Sequence, residues 1–178
     1  TEHEAVSNFT PFIEQLGAEN LIYAMEASEV SPTLGHFAPM PMAFDRSLPN
    51  TGGYPVALLQ EDGSVYQKSF PEMVEELRAD YGVEVIQINH PRTGGAAYFS
   101  YSGYRPLEGP EGANPRRFSL DFDAIEVFNA AGANLFCEVV TDWLSFTARG
   151  HRITGLGNSD THTLEVLAAF PRNYLPSD

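Results

Sequence analysis

Histidine and carboxylate side chains occur in this sequence at spacings that would suit a divalent cation. Asp160 and His162 are two positions apart, so on an extended segment their side chains would point to the same side and could share a metal. Glu29 and His36 flank a turn, and a carboxylate buried there would need a partner because an isolated buried charge is costly. The complete set of candidate ligands is His3, Glu29, His36, His90, Asp160 and His162.

Each candidate also has an ordinary structural explanation when it is taken alone. An Asp-x-His pair is common in capped turns, and a lone histidine such as His90, after an apolar strand, is more often hydrogen-bonded within the fold. Glu29 could be exposed in its turn, and His3 could be an ordinary polar residue of the first segment. The chain has no competing Cys-His zinc pattern, phosphate-binding loop or Gly-x-Ser-x-Gly motif, so a hydrolytic metal site remains open beside these explanations.

An alternation of helices and strands would position these side chains. Capping and periodicity predict helices from Thr10 to a stop at Gly17, from the Ser69 cap to Gly82, and over about residues 133–149. Glycine, proline and aromatic residues predict long loops over 45–63 and 93–117. Apolar runs predict strands over residues 21–27, 36–42, 83–88, 124–129 and 151–155.

This order predicts an α/β fold with parallel strands. In such sheets and barrels, active sites are built at the carboxyl ends of the strands. Glu29, His90, Asn129 and Asp160 each fall just after a predicted strand, whereas His151 begins one and is expected at the surface of the opposite end. The shared position of these residues after predicted strands therefore supports a metal site more than any single residue does.

Composition limits the classes of function. A chain of 178 residues with 43% hydrophobic residues predicts one folded domain, and no apolar run is long enough to span a membrane. The formal net charge of -14 disfavours sequence-independent nucleic-acid binding, because such a surface repels a phosphate backbone. The single cysteine, Cys137, excludes an internal disulfide and is expected in the core. Compartment and oligomeric state are not predicted by these features.

Several short stretches, in order along the chain, resemble the PHP (polymerase and histidinol phosphatase) superfamily, and specifically its carbaryl-hydrolase-like branch, CehA/McbA. The stretches are Thr1-Glu2-His3, Glu29-Val30-Ser31 with Gly35-His36-Phe37, Ile88-Asn89-His90-Pro91-Arg92, Phe122-Asp123-Ala124-Ile125-Glu126-Val127-Phe128-Asn129, Gly157-Asn158-Ser159-Asp160-Thr161-His162, and Phe170-Pro171-Arg172-Asn173-Tyr174. The resemblance implies a distorted seven-stranded (β/α) barrel that holds two or three divalent ions, zinc, manganese or iron. It implies that Glu29 bridges two metals, that His36 and His90 complete the second, that Asp160 binds the first, and that His3 and His162 belong to the third.

Two features depart from the family pattern. The Asp-x-His-x-His motif that ends the family's first strand is absent from residues 1–178, which we therefore expect to form a single PHP-like domain that is incomplete at its N-terminus. Glu2 stands where the family generally has Asp. The ligand set of the second metal, Glu29, His36 and His90, is intact.

The expected activity is metal-dependent hydrolysis, in which a metal-bridging hydroxide cleaves an ester, carbamate or phosphoester bond of a small molecule. Arg92 is the candidate catalytic residue that would bind an anionic or carbonyl oxygen of the substrate, and Arg172 is the second candidate for this role. Aromatic residues of the 93–117 loop could either wall an aromatic substrate or simply pack the loop. The alternative to an enzyme is a non-catalytic PHP-like module that serves structure or binding in a larger protein.

Overall fold

The computed structural model describes residues 2–130, 132–163, 165 and 167–174 of the chain. Thr1, the first residue of the quoted motifs, lies outside this part. The α-helices are α1 (Thr10–Gln15), α2 (Phe70–Asp80), α3 (Tyr98–Ser102) and α4 (Phe136–Ala148). The strands are β1 (Glu2–His3), β2 (Ser28–Glu29), β3 (Phe37–Met40), β4 (Ala57–Leu59), β5 (Val65–Gln67), β6 (Val85–Ile88), β7 (Ala124–Asn129) and β8 (Thr154–Asn158).

The main sheet has the strand order β3-β6-β7-β8. Strands β6, β7 and β8 are parallel, as the alternating pattern predicts, while β3 is antiparallel to β6. The short turn after β2 explains this exception, since a brief connection reverses the chain direction and a parallel return requires a longer crossover. The predicted α/β class is therefore confirmed as a mixed α/β fold with a mostly parallel sheet.

A smaller parallel pair, β1 with β2, lies beside this sheet. Val30 and Phe37 exchange backbone hydrogen bonds and thereby connect the end of β2 to the start of β3. Within the described residues the strands do not close into a barrel, because β8 has no strand partner on its outer side. The sheet that they form is open.

Helix α2 has strong local sequence signals, namely a capping box at its start and a regular apolar face. Ser69 and Glu72 form a capping box, in which each side chain accepts a hydrogen bond from the other residue's backbone N–H. Phe70, Met73 and Leu77 are buried on the inward face of the helix. The predicted start at the Ser69 cap is confirmed, and the helix ends at Asp80, two residues before the predicted stop at Gly82.

Three of the four aromatic residues of the 93–117 segment belong to the core, and the fourth, Tyr101, is exposed. Tyr98, Phe99 and Tyr104 are almost fully buried and pack with Phe118 and Phe146. The segment also contains α3, so it is not the unstructured loop that its composition predicts. Of the two interpretations, packing is the one that the structure supports.

Other predictions differ from the structure in position or burial. The predicted buried strand over 21–27 is wrong: the regular strand comes only at β2, and Leu21 and Tyr23 are exposed. Cys137 is exposed rather than in the core. The final strand begins at Thr154, three residues later than predicted. In the described part of the chain, no helix is both long and apolar enough to cross a membrane.

Candidate metal centre

The predicted ligands converge on one edge of the sheet. Glu29 ends β2, His90 follows β6 and Asp160 follows β8, so parallel strands deliver all three to the same end. Because β3 runs antiparallel to β6, the residue that precedes it, His36, lies at that end too, and its carbonyl accepts a hydrogen bond from the backbone N–H of Asn89. A cavity of about 670 Å³ opens there, and its lining includes His3, Glu29, His90, Asp160 and His162.

The carboxylate of Glu29 is the centre of the cluster. The residue is 7% exposed, and three imidazoles surround its oxygens. One oxygen lies 3.2 Å from Nδ1 of His36 and 3.5 Å from Nε2 of His90, and the other lies 3.9 Å from Nε2 of His3. Potential ligand atoms of His3, Glu29 and His36 all lie within 4.8 Å of one another, so these three residues form a group that could hold one metal ion.

A close backbone contact fixes the position of His36. The preceding Gly35 has φ +131°, and a Cβ at this position would lie 2.6 Å from Cα of Tyr98. Only glycine combines this conformation with so close an approach. The turn before β3 is therefore built so that the His36 ring meets the ring of His90, at a centroid separation of 4.9 Å.

His90 is held in an unusual backbone conformation. Its φ is +25°, which is rare for a residue with a side chain, and its backbone N–H donates to the carboxylate of Glu126 on β7. Nδ1 of the buried ring has no hydrogen-bond partner among the described residues. A buried polar atom without a partner is costly, and a metal ligand is one role that explains such an atom. Nδ1 is therefore the ring nitrogen of His90 that lacks a partner among the described residues, while Nε2 faces the carboxylate of Glu29.

Asp160 and His162 form a second part of the cluster. One oxygen of Asp160 lies 2.9 Å from Nε2 of His162, and the other accepts a hydrogen bond from the Asn129 side chain at 3.1 Å. The His162 ring stacks on that of His3 with centroids 5.7 Å apart, which joins the two parts. Like His90, Asp160 has a positive φ, +47°. The structure thus brings together all six residues proposed as ligands from the sequence.

The pKa values of Glu29 and His90 are shifted in opposite directions by their surroundings. Burial opposes the charge of Glu29, but hydrogen bonds from His36 and His90 outweigh it and hold the pKa of Glu29 well below its ordinary value. Burial likewise disfavours the charged form of His90, while Glu29 and the nearby charges of Glu126 and Asp160 raise its pKa overall. Glu29 is therefore ionised at neutral pH and presents a carboxylate flanked by imidazoles, a donor set that suits zinc, manganese or iron.

Arg92 lies outside this cavity. Its Nε and a terminal nitrogen each donate to Asp142 at 2.8 Å, and a terminal nitrogen also donates to the Tyr104 carbonyl at 3.0 Å. Asp142 is fully buried, so the pair connects the segment after β6 to helix α4. This placement gives Arg92 a structural partner instead of the predicted contact with a substrate, whereas Arg172 does line the cavity.

Glu126 is a site residue that the sequence reasoning did not single out. It is 3% exposed, lines the cavity, and its pKa is raised chiefly by burial. A charged residue in the middle of the apolar β7 run, between Ile125 and Val127, is the signal that could have identified it, because a buried carboxylate requires a partner. By contrast, His151 lies in a separate surface depression, as predicted.

The site therefore combines the buried carboxylate of Glu29, three imidazoles around it, a second buried carboxylate at Glu126, and a neighbouring Asp160–His162 pair. Comparison with protein-family models, with curated proteins and with solved structures finds no match for this chain. The chemistry of these side chains is accordingly the basis for a functional conclusion.

Proposed function

We propose that this protein is a metal-dependent hydrolase that cleaves an ester, carbamate or phosphoester bond of a small molecule. The observation that carries the proposal is the nearly buried carboxylate of Glu29, which three imidazoles meet from different sides. In a purely structural ion pair one partner would suffice. Three histidines on one carboxylate, next to a second Asp–His pair, are the arrangement expected of a site for more than one cation.

The proposed ligand assignment combines this geometry with the resemblance to the PHP superfamily. Glu29 would bridge two divalent ions, His36 and His90 would complete one of them, and Asp160 would bind the other. His3 and His162, whose rings stack, would serve a third. Two or three ions of zinc, manganese or iron would fit these nitrogen and oxygen donors.

Divalent ions bound there would lower the pKa of a water molecule so that it can attack at neutral pH, and would stabilise negative charge in the transition state. The protein's own contribution is to orient the ligands. Glu126 fixes the backbone of His90, and Asn129 fixes one oxygen of Asp160, so neither ligand needs to rearrange when a cation binds. Such outer contacts typically change metal affinity or activity about 10- to 100-fold when they are removed.

The seven-stranded barrel that the resemblance implies is part of the same proposal. The stacking of His3, at the end of β1, on His162, beyond β8, brings the two outer edges of the described strands close together. A strand with an Asp-x-His-x-His motif between these edges would close the barrel and add histidines to the first and third metals. An N-terminally extended protein that carries this motif should bind more metal per chain than residues 1–178.

Hydrolysis of p-nitrophenyl acetate, a p-nitrophenyl carbamate and p-nitrophenyl phosphate, with manganese or zinc added, would test the proposal. We expect turnover of at least one substrate that a chelator abolishes, and we expect Glu29→Gln to lose it. Glu75→Gln is the matched control, since Glu75 is exposed on α2, far along the chain from every proposed ligand. Metal binding without turnover of any substrate, in the extended protein as well, would instead favour a non-catalytic module.

A further inference from the structure

We propose that Arg172 recognises an anionic oxygen of the substrate, so that the site selects small molecules that carry a carboxylate or phosphate group. The inference rests on the proposed metal-dependent hydrolase function and adds a specificity-determining residue to it.

Arg172 is the one lysine or arginine among the described residues that line the cavity. The other ionisable lining groups are the carboxylates of Glu2, Glu29, Glu126 and Asp160 together with histidines. None of the ion pairs or hydrogen bonds within the described residues engages the Arg172 side chain. Arg92, by comparison, has its guanidinium committed to Asp142 and the Tyr104 carbonyl. Arg172 is therefore the guanidinium that remains available to a ligand in this cavity.

The segment that carries Arg172 is fastened to the sheet. The side-chain amide of Asn173 accepts a hydrogen bond from the backbone N–H of Gly157 at 2.9 Å and donates to the Gly157 carbonyl at 3.2 Å. Both backbone groups are on the outer edge of β8, so the amide makes the pair of bonds that a neighbouring strand would make. Two bonds to one residue fix Asn173, and hence the residue before it, relative to β8.

The contact between the segment and β8 is close as well as polar. A Cβ on Gly157 would lie 3.3 Å from Cβ of Pro171 and 3.6 Å from the backbone nitrogen of Arg172. Pro171 is buried. Gly157 also lies three residues before Asp160, and it pairs with Phe128 of β7. One strand therefore leads into a proposed metal ligand and anchors the segment that carries Arg172, and both residues line the same cavity.

A guanidinium suits this task because its planar N–H groups can bind two oxygens of a carboxylate or phosphate at once. Metal ions in the site would polarise the bond that is cleaved, while Arg172 would hold a separate oxyanion of the same molecule. A neutral ester would gain nothing from this contact. The four carboxylates around the cavity would also repel an anion that lacked such a partner.

Calorimetric titration of the manganese-loaded protein with inorganic phosphate, and separately with acetate, would test the inference. Loss of one charge-assisted contact at an accessible position corresponds to about a tenfold loss of affinity, so Arg172→Ala should raise the Kd for the better-bound anion about tenfold. Arg172→Lys should recover part of it, because lysine keeps the charge without the planar fork. Asn173→Ala should weaken the anion in the same direction, since it releases the segment from Gly157.

Arg116→Ala is the matched control, because Arg116 is exposed, does not line the cavity, and its side chain makes no hydrogen bond or ion pair in the described part of the chain. Manganese content should be equal in all these variants. If Arg172→Ala loses more affinity for phosphate than for acetate, the recognised anion is a phosphate group. If it loses more affinity for acetate, the recognised anion is a carboxylate. Equal anion affinity of wild type and Arg172→Ala at full manganese content would overturn the inference and leave the hydrolase proposal standing. Failure of the wild type to bind manganese, zinc and iron alike would contradict both.

Discussion

We expect Glu29 to couple metal binding to the stability of the fold, and the size of this coupling can be predicted. A cation that binds only the folded chain stabilises it by RT ln(1 + [M]/Kd), which is about 2.7 kcal/mol at a free concentration of 100 Kd. In a protein of this size, 1 kcal/mol shifts Tm by about 2–4 °C. Adding manganese or zinc at that excess should therefore raise Tm by about 5–11 °C over the chelated protein.

The variant Glu29→Gln should abolish this response. The amide keeps the size of the side chain and can still hydrogen-bond to His36 and His90, but it offers the cation no negative oxygen. The metal-dependent shift in Tm should therefore fall below resolution, while the chelated variant should still unfold cooperatively. Glu75→Gln, which replaces an exposed carboxylate of α2, should keep the full shift.

Differential scanning calorimetry, with the metal content of each sample measured, is the appropriate assay. An unchanged Tm of the wild type after confirmed metal removal would refute the reasoning. An equal metal-dependent shift in Glu29→Gln would refute it too, because the stabilisation would then arise from a different site.

Three further predictions concern structure away from the cavity. Asp142→Asn should destabilise the protein by about 3 kcal/mol in urea denaturation, because the largely buried Arg92 loses its closest counter-charge and keeps only the carboxylate of Glu138, 3.7 Å away. Glu108→Gln, which breaks an exposed ion pair, should cost less than about 1 kcal/mol. Ser69→Ala should cost about 1 kcal/mol by removing the α2 cap. Hydrogen bonds from Ser69 lower the pKa of Glu72 in the folded protein. The stability that this carboxylate contributes is therefore fully present above its unfolded pKa of about 4.3. It is lost as the pH falls through the lower pKa of the folded state. The stability difference between wild type and Glu72→Gln should therefore shrink in acid, and an unchanged difference down to about pH 2 would contradict this origin.

The elements with strong local signals were predictable from the sequence. Ser69 as a cap located α2, and the apolar run that ends at Asn129 located β7 with the observed bounds. Strand β6 was also predicted, although the structure begins it at Val85. For β7 and for the start of α2, the residues that form the element also determine its limit, so no knowledge of the partner is needed.

Predictions failed where burial depends on a partner that sequence periodicity does not identify. The apolar residues over 21–27 could form a buried strand, but the described fold places no sheet against them. The hairpin β4–β5 lies partly within the segment 45–63, which the sequence predicts as a loop. The prediction missed this hairpin because its short strands lack an alternating apolar pattern. Periodicity reports which residues could be buried together, whereas pairing decides which of them are.

In the candidate site, too, local sequence signals predicted some positions, while positions that depend on a distant partner were missed. Strand ends were enough to predict that His90 and Asp160 would lie at one edge, and the structure places them there. Glu29 lies there too, but it ends β2 and does not follow the strand predicted over 21–27. The role expected of Arg92 depends on where its side chain points. Its guanidinium donates to Asp142 on α4, a partner 50 residues away in sequence. Such a long-range pair has no local signal, so residue type alone could not distinguish Arg92 from Arg172.

Elemental mass spectrometry of purified protein most directly tests the central claim, that this cluster binds divalent metal. The account predicts zinc, manganese or iron bound to the wild type, a clear loss in His90→Ala, and full retention in His151→Ala, whose histidine lies in a separate depression. A wild-type protein without metal after incubation with each of these ions, or equal loss from both histidine variants, would contradict it.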